Sequence, residues 1–113
     1  MAELVYINKE EGIKRVMNNA KLYAKLLTKF KDGTNLNDLL SFVDAQDWEK
    51  AQGAAHTIKG IAANLSLTEL FNQSLDAETQ IKGKSLKNET LEKLKTCFAE
   101  TLVQVEKVIA ENA

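Results

Sequence analysis

The sequence predicts an all-α protein, an antiparallel four-helix bundle with one or two additional short helices. Apolar residues recur at the three- and four-residue spacing of a helix through most of the 113 residues, whereas strict alternation of apolar and polar residues is almost absent. The chain has no proline and only 5 glycines, so few positions force a helix to end. Long amphipathic segments joined by short connections are typical of such bundles.

The first two helices can be placed from their capping residues. The first is expected near Lys9 to Met17, with Asn8 as its N-cap and Glu11 as the partner of that cap. The second is expected from about Asn19 to Lys31, and Gly33 is predicted to stop it in a left-handed conformation. Both segments place apolar residues on one side, as a helix packed on a core requires.

The third and fourth helices follow within a few residues. Thr34 is predicted to cap the third helix, which has one apolar stripe. That stripe consists of Leu36, Leu39, Leu40 and Val43. The fourth helix is expected to begin after Asp47, a common N-cap residue, and to run to about Leu65.

A capping box is predicted to start the fifth helix. Ser66 and Glu69 have the S-x-x-E spacing of that motif, and Gly83 is expected to end the helix. Its predicted core side consists of Leu67, Leu70, Phe71, Leu75 and Ile81. The last helix is expected from about Ser85 to Glu111.

Length and charge limit the classes of function. We expect one domain over residues 1–113. The formal net charge of −1 indicates neither nucleic-acid binding nor attraction to an anionic membrane. The single cysteine, Cys97, excludes an intramolecular disulfide, and the N-terminal apolar run is too short for a signal peptide. A cytoplasmic domain without membrane insertion is therefore expected.

The fourth helix, DWEKAQGAAHTIKGIAANL, differs from an ordinary amphipathic helix. Its predicted core face is made mostly of small residues, which allows close helix approach: Ala51, Ala54, Ala55, Ile58, Ala62 and Leu65. The opposite face carries Glu49, Gln52, Gly53, His56, Lys59, Gly60 and Ala63. The only histidine of the chain is thus predicted to point to solvent near the middle of a helix.

The surroundings of His56 indicate a nucleophile that a partner can approach. With a reference pKa of about 6.5, a solvated imidazole is mostly neutral at cytosolic pH and has a free nucleophilic nitrogen. Lys59, one turn later, can reach an anion attached to the ring. Gly53 and Gly60 each cost about 0.8–1 kcal/mol against alanine within a helix, which suggests that open access is needed. Gly53 has the alternative explanation of permitting tight helix packing.

This segment resembles the signature of the histidine phosphotransfer family, an A-H-x-[IL]-K-G run flanked by small residues. The residues that match the run are Ala55, His56, Ile58, Lys59 and Gly60. Asp47-Trp48 resembles the usual entry into that helix, and the likeness extends over roughly Tyr23 to Lys82. One departure is Ser66, which stands where many members have glycine and which we interpret as a helix cap.

The resemblance implies a role for each residue of the exposed face. His56 would accept a phosphoryl group, through Nε2, and Lys59 would help to hold that group. Gly60 would provide clearance, and Gln52 occupies a position where the family often places a polar group near the phosphate. Ala63, on the same face, is our candidate for contact with a partner.

The resemblance also implies the partners, which would be receiver domains of response regulators and possibly a hybrid sensor histidine kinase. The receiver would bring its own aspartate and Mg²⁺, whereas this chain would bind no cofactor, no metal and no ATP. Two alternatives remain open. One is a helical module that binds a receiver or another partner without phosphotransfer. The other is an enzyme with its own pocket, which would need more polar groups near His56 than Gln52 and Lys59.

Overall fold

A computed structural model describes residues 6–34 and 36–112. This part of the chain forms six helices and contains no strand, so the all-α prediction is confirmed. The helices are α1 (Lys9–Arg15), α2 (Ala20–Gly33), α3 (Asn37–Asp44), α4 (Trp48–Leu65), α5 (Thr68–Lys82) and α6 (Asn88–Glu111). The bundle consists of the four long helices α2, α4, α5 and α6, and α1 and α3 are the additional short ones.

The four long helices pack in a closed ring around one core. Helix α4 packs against α5, α5 against α6, α6 against α2, and α2 against α4, while α3 covers α4 from outside. Only Ser66 and Leu67 separate α4 from α5, and a connection this short makes the two helices antiparallel neighbours. No helix of the described residues is both long enough and apolar enough to cross a membrane.

The small residues predicted for the core face of α4 do lie against its neighbours. Ala51, Ala55 and Ala62 are fully buried, and Ile58 and Leu65 are buried with them. Alanine side chains allow α5 to approach α4 closely, because little volume separates the two backbones. This close approach determines which side chains of α5 can reach the exposed face of α4.

Three predicted helix starts are confirmed by side-chain hydrogen bonds. Asn8 accepts a hydrogen bond from the Glu11 N–H at 3.2 Å, and Asn19 caps α2 in the same way at 3.0 Å. Asp47 accepts from the Lys50 N–H at 3.3 Å and thereby starts α4. These are acceptor side chains that satisfy otherwise unpaired N–H groups of a first turn.

Two predictions for the α2–α3 connection are wrong. Gly33 is the last helical residue of α2 rather than a left-handed stop, and no described glycine has a positive φ. Thr34 is extended and ends α2, while α3 begins after Leu36 without a side-chain cap among the described residues. Leu36 is buried in the core, so packing of its side chain fixes this end of α3.

The predicted capping box at Ser66 is also wrong, because Ser66 ends α4 instead of starting α5. Its φ of 57° and ψ of 39° are left-handed, and its N–H bonds back to carbonyls of the last turn of α4. The N-cap of α5 is Leu67, which has no side-chain capping bond in the described part of the chain. A left-handed residue at this point explains why glycine is the more usual choice there.

Two further differences concern the fifth and sixth helices. Leu75, predicted on the core side of α5, is 42% exposed, and the buried stripe instead runs through Ser74, Ala77 and Glu78. Gly83 does follow α5, as expected. Helix α6 begins at Asn88 rather than near Ser85, because residues 83–87 form the turn that reverses the chain.

Residues of α2 and of the N-terminal segment that contains α1 secure the C-terminal end of α4. The Tyr23 hydroxyl donates a hydrogen bond of 2.6 Å to the carbonyl of Leu65, and the Asn8 N–H donates to the carbonyl of Ser66 at 2.9 Å. The Ser66 hydroxyl in turn donates to Glu11 at 3.1 Å. These bonds satisfy carbonyls that the end of a helix leaves without partners, so the position of α4 is well defined.

Candidate functional site

His56 lies in the middle of α4, where its side chain is 68% exposed. The prediction that the only histidine faces solvent is therefore confirmed. The two glycines beside it do not serve packing within this chain: apart from the adjacent residues and the nearby backbone of α4 itself, a Cβ atom built on Gly53 or Gly60 would meet no described atom within 4 Å. The alternative explanation of Gly53, close helix packing, is thus wrong. Both glycines leave space above the helix surface on either side of the ring.

Helix α5 brings a buried carboxylate to the imidazole. The Glu78 side chain is only 5% exposed, and its Oε2 lies 3.1 Å from Nδ1 of His56. Its other oxygen, Oε1, accepts a hydrogen bond of 2.6 Å from Nζ of Lys59. Glu78 therefore joins the histidine and the lysine of α4 through one side chain of the neighbouring helix.

The charge of Glu78 depends on two opposing effects. Burial alone would raise the pKa of this carboxyl group, but the hydrogen bond and the positive charge of Lys59, together with the contact to His56, lower it. The net result is a pKa below the ordinary value of 4.5, so Glu78 is ionised at neutral pH. An ionised carboxylate only accepts hydrogen bonds.

This ionisation determines the tautomer of His56. Because Glu78 is an acceptor, the hydrogen bond to it requires the proton on Nδ1 of His56. In a neutral imidazole the lone pair then belongs to Nε2, the nitrogen that points away from Glu78. The contact with Glu78 thus holds the ring at Nδ1 and leaves the nucleophilic Nε2 facing solvent.

An open cavity of about 480 Å³ lies over this group. It is lined by Glu49, Gln52, Gly53, His56, Lys59, Glu78 and Lys82. The structure thus brings together four of the residues predicted for the site, namely Gln52, Gly53, His56 and Lys59. Gly60 and Ala63 do not line this cavity. Gly60 is exposed one turn beyond His56, and Ala63 is half-buried on the same side of α4.

Glu78 was not predicted from the sequence, which offered Gln52 and Lys59 as the polar residues near His56; the structure adds Glu78 to them. Glu78 is 22 residues from His56 in the chain, and only the antiparallel packing of α4 and α5 brings the two together. One signal was available in the sequence. An acidic residue stands in the buried stripe of α5, next to Ala77 and one turn from Ser74 and Ile81. A charge in such a stripe requires a partner on the neighbouring helix.

Lys59 also differs from its expected state. We predicted an ammonium group within reach of an anion on His56; in the structure the Lys59 side chain is 21% exposed and is hydrogen-bonded to Glu78. The pairing leaves Lys59 at the edge of the cavity with its charge largely compensated. Lys59 therefore holds Glu78 ionised, in addition to any contact with an anion.

Outside this cavity, the two other kinds of reactive group to consider are a metal site and a reactive thiol. Residues 6–34 and 36–112 contain no group of three or more His, Cys, Asp or Glu side chains arranged to hold a metal ion. Cys97 is buried on α6, and burial raises the pKa of its thiol to about 11. A thiol of that kind is a poor nucleophile at neutral pH.

Comparison with known proteins gives one clear result. The family model described as the Hpt domain matches residues 26–106. No curated protein and no solved structure matches the chain significantly. The matched region begins within α2, contains all of α3, α4 and α5, and ends within α6, so it includes His56, Lys59 and Glu78. Because the match covers more than half of the chain, the protein belongs to the Hpt family, the helical histidine phosphotransfer domains of two-component phosphorelays.

Proposed function

We propose that this chain accepts a phosphoryl group on His56 from the aspartyl phosphate of a receiver domain and passes it to the aspartate of another receiver. The observation that supports this most directly is the exposed imidazole, whose Nδ1 contacts the buried, ionised Glu78. Family membership supports the same conclusion at a coarser level. The chain would be a phosphocarrier without ATP-dependent kinase activity of its own.

The phosphoryl transfer needs no proton to leave this chain. Nε2 of His56 attacks the phosphorus atom, and the bond from phosphorus to the aspartyl oxygen breaks, so that the carboxylate leaves with the electron pair. The imidazole, still protonated at Nδ1, then carries a positive charge. Glu78 lies 3.1 Å from that nitrogen and stabilises the charge. In the second transfer an aspartate attacks phosphorus, and the electron pair of the P–N bond returns to Nε2.

Gln52 and Lys59 are the residues of α4 that we assign to the phosphoryl group. Both line the cavity beside His56, one turn before it and one turn after it. By analogy with a phosphorylated hydroxyl, the group adds about −1.5 to −2 charges at neutral pH. The Gln52 amide can donate to a phosphoryl oxygen, and Lys59 can share its ammonium between that oxygen and Glu78.

The partner must approach His56 closely, and the surface of α4 permits this. Gly53 and Gly60 leave the space beside the ring empty, and we assign Ala63 to the contact with the partner. The receiver would supply the aspartate and Mg²⁺, while no residue of this chain is assigned to a metal or cofactor. A hybrid sensor histidine kinase is a further candidate partner. This function places the protein in the cytoplasm.

Transfer from phosphorylated receivers tests the proposal. Wild-type protein and His56→Gln are incubated with a panel of phosphorylated receiver domains, one at a time, and with the small donor phosphoramidate. We expect an acid-labile phosphoryl group on wild type, detected by intact mass and mapped to His56, and none on the variant. Labelling of His56→Gln at the wild-type rate would contradict the proposal.

The same variant separates phosphotransfer from simple binding. A helical interaction module would retain its signalling function in His56→Gln and lose it only when its contact surface changes. Glu69→Gln serves as a control, because Glu69 lies on α5 outside the cavity and bonds to Gln73. We expect this control to be labelled like wild type.

A further inference from the structure

The charges around the cavity are unevenly paired. The ammonium of Lys59 bonds to the buried Glu78 at 2.6 Å, so these two charges largely compensate each other. The remaining charged residues of the cavity wall are Glu49 on α4 and Lys82 on α5. In the part of the chain that the structure describes, neither has an ion pair or a side-chain hydrogen bond.

Lys82 is placed to act on the same ligand as Lys59. It follows Glu78 by four residues on α5, so the two side chains lie on one face of that helix, one turn apart. Both line the cavity over His56. Lys82 is exposed, and its long flexible side chain can move toward an anion without breaking a bond within the described chain.

The balance of charge makes this lysine important. With Lys59, Lys82, Glu49 and Glu78 all ionised, the cavity wall has no net charge. Without Lys82 the wall would carry a net negative charge, since Glu49 would then be uncompensated. A group of about −1.5 to −2 charges would enter such a cavity against repulsion, because like charges at short range disfavour each other.

We propose that Lys82 is a further phosphate-binding residue and the second lysine of the site, which contacts the phosphoryl group on His56 from the α5 side while Lys59 remains paired with Glu78. This assignment rests on the proposed function of His56. The phosphoryl group would thus be held by both helices that form the site. Lys82 would also attract the phosphodonor as it approaches.

The test compares Lys82→Gln with Lys84→Gln in the full chain. Both changes remove one positive charge from the same end of the molecule, but Lys84 lies in the turn after α5 and does not line the cavity. The donor is phosphoramidate: Nε2 of His56 attacks phosphorus, the P–N bond of the donor breaks, and ammonia leaves. The phosphorylation rate is measured by intact mass at low and high salt.

We expect Lys82→Gln to slow phosphorylation about two- to fivefold at low salt, the size of effect given by partly exposed ion pairs. The effect should shrink as salt screens the charges, and Lys82→Arg should restore the rate. Lys84→Gln should react like wild type. Lys82 is the last residue of α5. If its role were limited to the C-terminal helix dipole, Lys82→Gln would instead lower the free energy of unfolding and leave the phosphorylation rate unchanged.

Equal rates for Lys82→Gln and Lys84→Gln would overturn the assignment of Lys82. In that case His56 would still be labelled in both variants, and the proposed function would stand. Labelling of His56→Gln at the wild-type rate would overturn the proposed function as well. A rate loss in Lys82→Gln that salt does not reduce and Lys82→Arg does not restore would also count against a charge contact.

Discussion

At the scale of single residues, one carboxylate connects the reactive histidine to the lysine beside it. The two oxygens of Glu78 contact Nδ1 of His56 and Nζ of Lys59, and the side chain is buried between α4 and α5. A neutral acceptor at this position would still form hydrogen bonds, but it would not offset a positive charge on the imidazole. The negative charge of Glu78 therefore has a consequence for the reactivity of His56 that hydrogen bonding alone does not have: it offsets the positive charge that develops on the imidazole.

Glu78→Gln tests that consequence. The amide can donate as well as accept, so both imidazole tautomers become possible, and the developing positive charge loses its counterion. We expect phosphorylation by phosphoramidate to slow about three- to tenfold, less than for a fully buried charged pair because His56 is exposed. ¹⁵N chemical shifts of the ring should show a proton mainly on Nδ1 in wild type and a mixture of tautomers in the variant.

The control for this change is Glu69→Gln, which removes an equal charge from the same helix at a distance from the cavity. It should keep both the wild-type rate and the wild-type tautomer. If Glu78→Gln and Glu69→Gln gave the same ring shifts, Glu78 would not determine the tautomer of His56.

At the scale of helices, the glycines fall into two groups with opposite expected effects. Gly53 and Gly60 lie on the open face of α4, whereas a Cβ built on Gly12 of α1 would overlap the ring of Tyr23. Alanine at Gly53 or Gly60 should raise the free energy of unfolding by about 0.5–1 kcal/mol, since it adds helix propensity without a clash. Alanine at Gly12 should lower it by about 1–3 kcal/mol through overpacking.

Urea denaturation measures all three changes, and the Gly53→Ala variant is the internal control for Gly12→Ala. Two stabilising variants and one destabilising variant are expected. A loss of stability in Gly53→Ala or Gly60→Ala would contradict the conclusion that these positions are unconstrained by this chain.

The open face of α4 also predicts how a larger side chain beside His56 affects phosphorylation by small and by large donors. Gly60→Leu places a side chain one turn beyond His56, where no described atom of the chain would meet its Cβ. A small donor can still reach Nε2, but the surface of a receiver domain cannot approach as closely. We expect phosphorylation by phosphoramidate to stay near the wild-type rate. The rate of transfer from receivers should fall by about tenfold or more, and a tenfold change corresponds to about 1.4 kcal/mol. Equal losses with both donors would show that the Gly60→Leu substitution disturbs His56 directly.

Helix α4 was predictable from sequence to within a residue at both ends, and its junction with α5 was not. Asp47 is a strong N-cap, and the alanine stripe of α4 shows its buried side through spacing alone. Ser66 fits two local interpretations, an N-cap and a left-handed C-cap. The choice depends on contacts from elsewhere in the chain: Ser66 bonds to Asn8 and Glu11 of the N-terminal segment. No local pattern contains that information.

At the scale of the whole molecule, the site exists only because α4 and α5 are packed together. Sequence periodicity identified the exposed face of α4, including His56 and Lys59, since both residues lie on one helix. It could mark Glu78 as an acidic residue in the buried stripe of α5 but could not identify its partners, because the pairing of two helices depends on how their buried faces fit. Features within one helix were thus predictable, and features shared by two helices required the structure.

Packing between α4 and α5 also links global stability to pH through Glu78. The pKa of this group is lower in the folded chain than its ordinary value of 4.5. The folded state therefore favours the ionised form, and the resulting stabilisation is fully present above about pH 4.5. It is lost as the pH falls below 4.5 and through the folded-state pKa, where the carboxyl group takes up a proton in both states.

Wild type and Glu78→Gln should therefore differ most near neutral pH and least in acid. At pH 7 we expect the variant to be less stable by about 1–2 kcal/mol, below the range for fully buried pairs because Lys59 and His56 can be solvated. Below about pH 4.5 the difference should shrink, because protonated Glu78 resembles glutamine. Urea denaturation at a series of pH values measures this, with Glu69→Gln to show the contribution of an ordinary carboxylate. A difference between wild type and Glu78→Gln that stays constant from pH 7 into strong acid would mean that the charge of Glu78 contributes nothing to the stability of the bundle.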